Sequence, residues 1–395
     1  MRIGIFTDSY YPHISGVATS IEMLKNSLIE MGHKVYIVSA NLDDNHFVYD
    51  KDKNIILIPG IKTGLYKLKL TELYSRRAMK IIKNEWHLDI VHSQTEFGVG
   101  YFSRKVAKKL NIPVVHTYHT LYEDYVYYVT HGHLDNVVKK MVVKLTKYYC
   151  DTKCDELIVP TEKIKKLFNS KYGIQREMSV IPTGIDTKKF YMTNVIKKKS
   201  KELRNKYKIT DDDFVIGSVG RVATEKSFDE LIKNLAVLVK MDSHIKFMLV
   251  GDGPQLDSLK NLVKRLKIEK NVIFTGLVDY DLIPSYYHTF NVMASFSKTE
   301  TQGLTIIESL ASSIPTICVN DTSFREMIQN NYNGFLFETD EEFRKYILDL
   351  KHDKELYKTM SMNAKNSVYI YSKEVFASNV LKIYNKAILK YKNKM

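Results

Sequence analysis

Two acidic residues flank a turn in the stretch SKTETQGLTIIESLA, which runs from Ser297 to Ala311. Glu300 and Glu308 are separated by seven residues. The preceding run NVMASFS predicts a buried strand and the following apolar spacing predicts a helix, so the pair stands at a strand-to-helix turn. A helix N-terminus offers unpaired N–H groups and partial positive charge to an anion. Carboxylates beside such a site suit a ligand with both phosphates and hydroxyls, such as a nucleotide sugar. Interaction with the helix dipole is the alternative, and it explains Glu300 better than Glu308.

Cations and glycines follow other predicted strands, where they could bind a diphosphate. GRVATEKS follows the strand FVIGSV and carries Arg221 and Lys226, whose charges suit phosphate oxygens. SYYPHISGVATS places Gly16 before a helix that begins near Val17, so backbone N–H groups could approach phosphate there. Taken singly, a turn glycine and a solvated pair of cations explain these stretches as well. GDGP at 251–254 is weaker, since it is more often a tight turn.

A histidine stands at the end of the predicted strand PVVHTYH. The carboxyl ends of parallel strands border the ligand crevice of an open α/β sheet. His119 could therefore touch a sugar or the reacting centre. A hydrogen-bonded structural histidine is an equally good interpretation of this stretch alone.

Short apolar runs alternate with helical patterns almost throughout, which predicts βαβ units and parallel sheets. Twelve strands are predicted, namely RIGIFTD, KVYIVSA, NIILIPG, DIVHSQ, PVVHTYH and DELIVP in the first half, and FVIGSVG, KFMLVGDG, NVIFTG, NVMASFS, PTICVN and GFLFE in the second. The alternation stops in a densely charged stretch at about 184–212, and we place a linker near 184–205. We therefore predict two Rossmann-like domains, 1–190 and 191–372, with a ligand cleft between them. A Lys-rich helix at 373–395 is expected to pack back on the N-terminal domain.

The bulk composition limits the protein class. The chain has 395 residues, 44% of them hydrophobic, enough for two ordinary cores. No apolar run approaches membrane-spanning length, and MRIGIFTD has the pattern of a first strand, not of a signal peptide. We therefore expect a cytoplasmic protein. Cys150, Cys154 and Cys318 form no metal pattern and are expected to be reduced structural thiols.

The formal net charge of +14 is unevenly distributed. Residues 1–200 hold 31 Lys and Arg against 20 Asp and Glu, a net +11, whereas residues 201–395 hold 28 against 25, a net +3. A one-sided excess favours an anionic partner, either a membrane surface or a nucleic acid.

Residues 134–148 offer a candidate membrane surface within the basic half. Apolar side chains recur at helical spacing on one face, namely Leu134, Val137, Val138, Met141, Leu145 and Tyr148. An aromatic-rich loop, LYEDYVYYVTHGH, precedes this helix, as is typical of a headgroup-level surface. The lysines expected at an anionic membrane are Lys139, Lys140, Lys144 and Lys147. A core-facing helix with solvated lysines remains the alternative, and Val143 on the polar face complicates the pattern.

Taken together and in this order, the motifs resemble the retaining glycosyltransferases of family 4. The resemblance covers essentially the full chain and is carried by SGVATS, GRVATEKS, GDGP and the two glutamates around TQGLTII. HSQTEFGVG and HTYHTLYEDYVYYV are similar to the bacterial diacylglycerol glucosyltransferases in particular. The implied fold class is α/β, of the GT-B type, with two Rossmann-like domains whose parallel sheets face across a cleft.

The resemblance also implies substrates and residue roles. The donor would be UDP-glucose and the acceptor 1,2-diacylglycerol, giving alpha-monoglucosyldiacylglycerol. Arg221 and Lys226 would neutralise the diphosphate, Glu300 would contact the hexose, His119 would lie at the sugar, and Glu308 would bind the ribose hydroxyls. The remaining donor-site residues implied are Gly16, Val17, Gly276, Val278, Gln302, Gly303, Leu304 and Thr305.

The expected acceptor contacts are Asp8, Glu96, Tyr122 and Tyr125. Retention of the anomeric configuration would follow if the acceptor hydroxyl attacked the anomeric carbon from the face on which the leaving group departs, with the departing phosphate taking the proton. No tightly bound cofactor is implied, and no DxD-like motif stands at a strand end, so no metal is predicted as a direct ligand. Ser227 departs from the pattern, because many family members carry Gly there. Serine is a good N-cap, so we expect the loop to keep its geometry.

Other functions remain open at this point. A glycosyltransferase with a glycosylated lipid or a soluble acceptor would share the donor site. A nucleic-acid-binding protein would fit the basic charge, but no recognised binding motif appears. A dinucleotide oxidoreductase lacks a clean G-x-G-x-x-G after the first strand of either half.

Overall fold

The structure is a computed structural model that describes residues 1–13, 15–62, 69–119, 121, 135–298, 300 and 302–393. The chain forms two compact units, Met1–Gly184 with Lys373–Met395, and Ile185–Ser372. The division falls after Gly184 and not after residue 190, because the Ile185 N–H already donates to the carbonyl oxygen of Tyr371 at 2.9 Å. From Ile185 on, the predicted linker belongs to the second unit, where it contains the turn Thr187–Phe190 and most of the helix Asn194–Lys206.

The first unit is built on a mainly parallel sheet of eight strands in the order β10-β9-β8-β7-β1-β2-β4-β3. Its strands, with the separate antiparallel ribbon β5–β6, are β1 (Arg2–Thr7), β2 (Lys34–Ala40), β3 (Val48–Asp50), β4 (Ile55–Ile58), β5 (Gly60–Lys62), β6 (Lys69–Thr71), β7 (Ile90–Ser93), β8 (Val114–Thr117), β9 (Glu156–Val159) and β10 (Met178–Val180). Its helices are α1 (Gly16–Glu30), α2 (Arg76–Ile81), α3 (Gly98–Leu110), α4 (Asp135–Lys147), α5 (Glu162–Leu167) and the C-terminal helix Lys373–Lys392. Single π-helical turns extend α2, α4 and α5, at Ile82–Trp86, Tyr148–Thr152 and Phe168–Tyr172.

The two faces of this sheet have separate apolar cores. Strand residues alternate between faces, so Ile3 and Ile5 lie in one core and Phe6 in the other. The core around Ile3 is completed by α1 and by the C-terminal helix, which contributes the buried residues Val380 and Tyr384. The last helix of the chain is therefore part of the first unit.

The second unit is built on six parallel strands in the order β13-β12-β11-β14-β15-β16. The strands are β11 (Phe214–Val219), β12 (Ile245–Val250), β13 (Val272–Gly276), β14 (Val292–Ser295), β15 (Thr316–Val319) and β16 (Gly334–Phe337). The helices are α6 (Asn194–Lys206), α7 (Phe228–Met241), α8 (Leu256–Leu266), α9 (Ile283–Tyr287), α10 (Leu304–Ala311), α11 (Thr322–Arg325), α12 (Asp340–His352) and α13 (Lys354–Ser367). Short 3₁₀ turns lie at Thr187–Phe190, Thr224–Lys226, Glu269–Asn271, Tyr280–Leu282 and Tyr369–Tyr371. Numbered within the unit, this is the 3-2-1-4-5-6 order of a doubly wound nucleotide-binding sheet.

Among the described residues, no helix combines the length and the apolar character that crossing a bilayer requires.

Candidate functional site

The carboxyl edge of the second sheet has one position where successive connections lead away in opposite directions. β11 and β14 are neighbours there, while β12 and β15 lie on their outer sides. Ligands of open parallel sheets bind in the crevice at this switch point. The loop after β11 contains GRVATEKS and the loop after β14 contains Glu300, so the topology brings both motifs to one place.

Lys226 and Glu300 are in direct contact at this crevice. Lys226 Nζ forms an ion pair with Glu300 Oε1. The lysine side chain is 27% exposed and the glutamate side chain 17%, so both groups border solvent while remaining partly desolvated. Ser297 Oγ donates to the carbonyl oxygen of Glu225 at 3.3 Å and joins the two loops. Two residues predicted to act on one donor are therefore adjacent.

The GDGP turn packs closely against the loop that carries Arg221, which is half-buried. A Cβ atom on Gly251 would lie 1.9 Å from the carbonyl oxygen of Gly220. One on Gly253 would lie 2.4 Å from the carbonyl oxygen of Val222. Only glycine permits such close backbone approach. The GDGP stretch therefore fixes the shape of the neighbouring loop.

The expectation that Ser227 would act as an N-cap through its hydroxyl is wrong. Ser227 precedes α7 in the left-handed conformation, with φ at +51°, and its side chain makes no capping hydrogen bond. An N-cap residue normally has extended backbone angles that direct its side chain at the helix N–H groups. The loop keeps the conformation that glycine would adopt freely, and serine takes it at a cost in strain.

The stretch around the two glutamates forms a turn and the start of α10. Gly303 has φ at +81°, where glycine is favoured, and the helix begins at Leu304. Leu304 and Thr305 form its first turn beside the buried Gln302, and Glu308 follows in the second turn. The backbone N–H groups at this helix start have the geometry that suits an anion.

Glu308 is held in place by a tyrosine from α9. Tyr287 Oη donates to Glu308 Oε2 at 2.7 Å and lies 3.1 Å from the carbonyl oxygen of Thr305. Burial raises the pKa of the Glu308 carboxyl to about 7, although the Tyr287 hydrogen bond and the charge of Lys189 oppose the shift. The carboxyl therefore titrates near neutral pH.

The segment predicted to bind the base lies at the end of β13. Gly276 has φ at +71°, and a Cβ atom added there would meet nothing within 4 Å. Leu277 beside it is 82% exposed, and Val278 is half-buried. The main chain here borders open space that a planar base could occupy.

In the first unit, Gly16 is the first residue of α1. Ser15 caps this helix through a hydrogen bond of 3.1 Å that its Oγ accepts from the Ala18 N–H. A Cβ atom on Gly16 would meet nothing within 4 Å, and Val17 is half-buried. The helix start is therefore open to a ligand.

The switch point of the first sheet lies between β1 and β7, and Asp8 follows β1 there. Val99 N–H donates to Asp8 Oδ1 at 2.7 Å, and Asp8 N–H donates to Thr95 Oγ1 at 3.2 Å. Asp8 is only 8% exposed. Burial raises its pKa to about 7, against the lowering effect of hydrogen bonds that its carboxyl receives from the Thr95 side chain and the Val99 N–H.

His119 belongs to a chain of hydrogen bonds that reaches the C-terminal helix. Its Nε2 lies 2.5 Å from Gln94 Oε1. The Gln94 amide nitrogen approaches both ring nitrogens of His92, and His92 bonds to Thr117 Oγ1 at 2.7 Å and Tyr384 Oη at 2.6 Å. Because an amide oxygen only accepts, His119 Nε2 carries a proton. Burial lowers the pKa of His119 to about 4, so the neutral ring has an unprotonated Nδ1.

Glu96, a predicted acceptor contact in the first unit, is buried, with 2% exposure. Its Oε1 lies 3.0 Å from His116 Nε2, while His116 Nδ1 donates to the carbonyl oxygen of Ser93 at 2.9 Å. With Cys150 Sγ, these two side chains offer three possible metal ligands within 4.8 Å. The half-buried Arg104 also interacts electrostatically with Glu96, and its positive charge would repel a metal cation in the cluster. A hydrogen bond of 3.0 Å accounts for the contact between Glu96 and His116.

The predicted membrane helix has part of its apolar face exposed. Met141 and Tyr148, which helical spacing places on the apolar face expected at a membrane, are 69% and 47% exposed. Val143, expected on the polar face, packs against the core. Lys140, Lys144 and Lys147 are exposed and Lys139 is half-buried. Of the other predicted contacts, Tyr122 and Tyr125 lie outside the described residues.

The predicted residues thus form two groups, one in each unit. Lys226, Glu300 and Glu308 belong to the second unit, while Asp8 and His119 belong to the first. The residues that hold the predicted ones in place were not themselves predicted, namely Tyr287, Gln94, His92 and Tyr384. Gln94 and His92 stood inside the quoted motif HSQTEFGVG, so polar residues at a strand end were the available signal. No sequence signal distinguished Tyr287 or Tyr384, because a tyrosine that only fills the core recurs at the same spacing along a helix.

Comparison with known proteins identifies the family. The models for Glycosyltransferase Family 4 and for Glycosyl transferases group 1 match residues 14–189 and 199–367. An alpha-monoglucosyldiacylglycerol synthase of Acholeplasma laidlawii is 35% identical, with coverage of 100% of this chain and 99% of the relative. One from Streptococcus pneumoniae is 36% identical, with coverage of 98% and 86%.

Solved structures agree on the fold. Anabaena HepE, determined in complex with UDP-glucose, superposes with a TM-score of 0.72 at 16% identity, covering 97% of this chain and 99% of its own. Both units are matched by family models, and two relatives above 30% identity align over nearly the whole chain. The chain therefore belongs to glycosyltransferase family 4 and has the GT-B fold.

Proposed function

We propose that this protein transfers glucose from UDP-glucose to the free hydroxyl of 1,2-diacylglycerol, with retention, to give alpha-monoglucosyldiacylglycerol. The observation that carries the donor half is the contact of Lys226 with Glu300 at the switch point of a nucleotide-binding sheet. The acceptor half is supported by the two full-length relatives, both named alpha-monoglucosyldiacylglycerol synthase.

In this proposal the donor residues act on the leaving group and the sugar. Lys226 and Arg221 neutralise the diphosphate as negative charge develops on it, which is where fixed cations lower a barrier most. Glu300 accepts hydrogen bonds from hexose hydroxyls, and Glu308 accepts them from the ribose. Donor binding gives Lys226 a phosphate partner in place of Glu300, which leaves that carboxylate for the sugar.

The bond changes follow from a front-side attack. The acceptor oxygen forms a bond to the anomeric carbon on the face from which UDP departs, and the bond between that carbon and the β-phosphate oxygen breaks. The hydroxyl proton passes to the departing phosphate. His119, neutral with an unprotonated Nδ1, suits a hydrogen-bond acceptor for a sugar hydroxyl better than an acid.

We further propose that the protein works as a peripheral protein at the cytoplasmic face of the cell membrane. The first unit holds 32 Lys and Arg against 20 Asp and Glu, a formal net charge of +12, whereas the second holds 27 against 25, a net +2. The exposed side of α4 combines Met141 and Tyr148 with three lysines, a mixture that suits an anionic bilayer surface. Three buried free thiols fit a reducing compartment.

Transfer from radiolabelled UDP-glucose to diacylglycerol in mixed micelles tests the whole proposal. We expect a labelled glycolipid whose yield rises with anionic lipid. Slow release of UDP without a glycolipid product would support UDP-glucose as the donor and refute diacylglycerol as the acceptor. Parallel reactions with monoglucosyldiacylglycerol and with soluble sugars would then identify a glycosylated lipid or a soluble acceptor.

A further inference from the structure

The hydroxyl of Tyr287 has one proton and two acceptors within reach. Glu308 Oε2 lies at 2.7 Å and the carbonyl oxygen of Thr305 at 3.1 Å. The ring is fully buried and packs edge-on against Phe190 and Phe290, with ring centroids 5.8 Å apart in each case. Packing therefore holds the hydroxyl in place, and only its hydrogen can change direction.

The direction of that hydrogen depends on the protonation of Glu308. An ionised carboxylate only accepts, so the Tyr287 hydroxyl donates to it at the shorter of the two distances. A neutral carboxyl must place its own proton, and Tyr287 can then donate to Thr305. The two states differ in the number of hydrogen bonds that Glu308 can accept from a ligand.

Among the described residues, few other charges act on Glu308. Lys189, from the turn Thr187–Phe190, favours the ionised form, and it also pairs with Asp281 at 2.8 Å. His288, which follows Tyr287 in the chain, donates from Nε2 to the carbonyl oxygen of Phe190 at 2.8 Å. On the side of α13, Ser361 Oγ donates to the carbonyl oxygen of Ser313 beyond the end of α10 at 2.5 Å. Among the described residues, Tyr287 is the side chain that hydrogen-bonds to the Glu308 carboxyl.

We propose that Tyr287 is a positioning residue for the donor, whose hydroxyl favours the ionised form of Glu308 and orients it to accept the ribose hydroxyls of a uridine diphosphate. The inference rests on the proposed role of Glu308 at the ribose. It adds a residue that does not touch the ligand and a dependence of donor binding on pH.

The sign of that dependence follows from the chemistry. Ribose hydroxyls bind the ionised form better, and the pKa of Glu308 is about 7 in the ligand-free protein. Preference for ribose should therefore fall as the pH drops through about 7 and level off above it. The diphosphate also titrates in this range, so the quantity to follow is a ratio of two affinities that share the same diphosphate.

The experiment measures dissociation constants for UDP and for 2′,3′-dideoxy-UDP by calorimetry across the pH range. The wild-type protein should prefer UDP by about tenfold or more above neutral pH, the value of a hydrogen bond to a charged group. Tyr287→Phe removes the bond that lowers the Glu308 pKa, so the midpoint of the ratio should move to higher pH. At about pH 7 the preference should fall several-fold, by the same hydrogen-bond estimate. It should recover at higher pH, while dideoxy-UDP binding stays unchanged.

Tyr286→Phe is the matched control. Tyr286 is the adjacent residue, is 3% exposed, and its hydroxyl lies 3.3 Å from that of Tyr207. The control should leave the ratio at its wild-type value at every pH. Glu308→Gln, which cannot ionise, should make the ratio independent of pH.

Each contrary result has its own meaning. A wild-type protein that never distinguishes the two ligands would refute the ribose role of Glu308 and the inference with it. If the wild-type protein prefers UDP but the pH profile of Tyr287→Phe equals that of the wild type, the role of Tyr287 is refuted while the ribose role of Glu308 stands. Equal weakening of both ligands in Tyr287→Phe would also refute it, since packing damage would explain that loss. If Tyr287→Phe fails to fold, a pH-dependent ratio in Glu308→Gln would overturn the inference.

Discussion

Lys226 keeps its ammonium group against a carboxylate that the proposed reaction needs for sugar hydroxyls. The ion pair holds both side chains in the crevice before any ligand arrives, so little rotamer freedom remains to be lost on binding. A diphosphate carries more negative charge than one carboxylate and can replace it at the lysine. The contact between two catalytic candidates thus serves as preorganisation.

Replacing Lys226 tests its role on the leaving group. Lys226→Ala should reduce turnover by about 10²-fold or more, the scale for removing one donor from a developing oxyanion. Steady-state transfer assays would measure this change. Lys233→Ala is the control, because Lys233 pairs with Asp229 on the exposed side of α7. Wild-type turnover in Lys226→Ala would exclude a direct role in charge stabilisation.

Ser227 provides a prediction about stability. Its φ of +51° is left-handed, and its hydroxyl does not cap α7. Ser227→Gly should stabilise the second unit by about 0.5–1 kcal/mol, because glycine avoids a left-handed penalty of about 1–2 kcal/mol but loses more chain entropy on folding. Urea unfolding would measure the difference. Destabilisation would mean that the hydroxyl contributes more than the backbone strain costs.

Asp8 predicts how stability varies with pH. Its pKa is about 7 in the folded protein, whereas an exposed aspartate has an ordinary pKa of 3.8, so the folded state binds the proton more tightly than the unfolded chain. Stability is therefore lost as the pH rises through this window, by at most about 4 kcal/mol at 1.36 kcal/mol per pKa unit. Asp8→Asn should flatten the profile measured by urea unfolding. The exposed Asp257→Asn should leave it as in the wild type, and an equally steep profile in both would contradict the assignment.

At the scale of elements, strands were predictable and helix faces less so. Apolar runs located the twelve strands that were predicted, including all six of the second sheet, because continuous burial on both faces gives continuous apolar sequence. The short strands β3, β5, β6 and β10 were missed, since three residues carry too little pattern. The side of α4 that packs on the core was harder to predict, because Val143, expected on the polar face, packs there.

That exposed face of α4 gives a test of membrane contact. Met141→Ser should lower partition onto anionic vesicles several-fold, since immersing a methionine side chain contributes up to about 1.5–3 kcal/mol. Sedimentation with vesicles would measure the partition. Met241→Ser is the matched control, because Met241 is 62% exposed but belongs to the second unit. Equal partition of both variants would argue against α4 as the contact.

At the scale of the whole molecule, charge is sorted between the units more sharply than between the halves of the sequence. The C-terminal helix is Lys-rich and belongs to the first unit, while the charged residues near 190–206 belong to the second. The last helix was expected to pack on the N-terminal domain, although periodicity by itself does not identify the sheet on which a helix packs. A net +12 against +2 follows from that connectivity.

Salt should therefore control membrane association. Each lysine near an anionic surface contributes about 1 kcal/mol, and the screening length shrinks from about 10 Å at about 0.1 M to about 3 Å at about 1 M salt. Partition onto vesicles rich in anionic lipid should fall by about tenfold or more over this range. Neutral vesicles provide the control and should bind weakly throughout. Salt-independent binding would point to apolar insertion alone.

The return of the chain to its first unit has a consequence for synthesis on the ribosome. The sheet face around Ile3 and Ile5 is complete only when Val380 and Tyr384 cover it, and 188 residues of the second unit are translated in between. At about 5–20 residues per second, that interval lasts roughly 10–40 s. During it the nascent first unit carries an uncovered apolar groove, so its folding finishes after that of a domain made later.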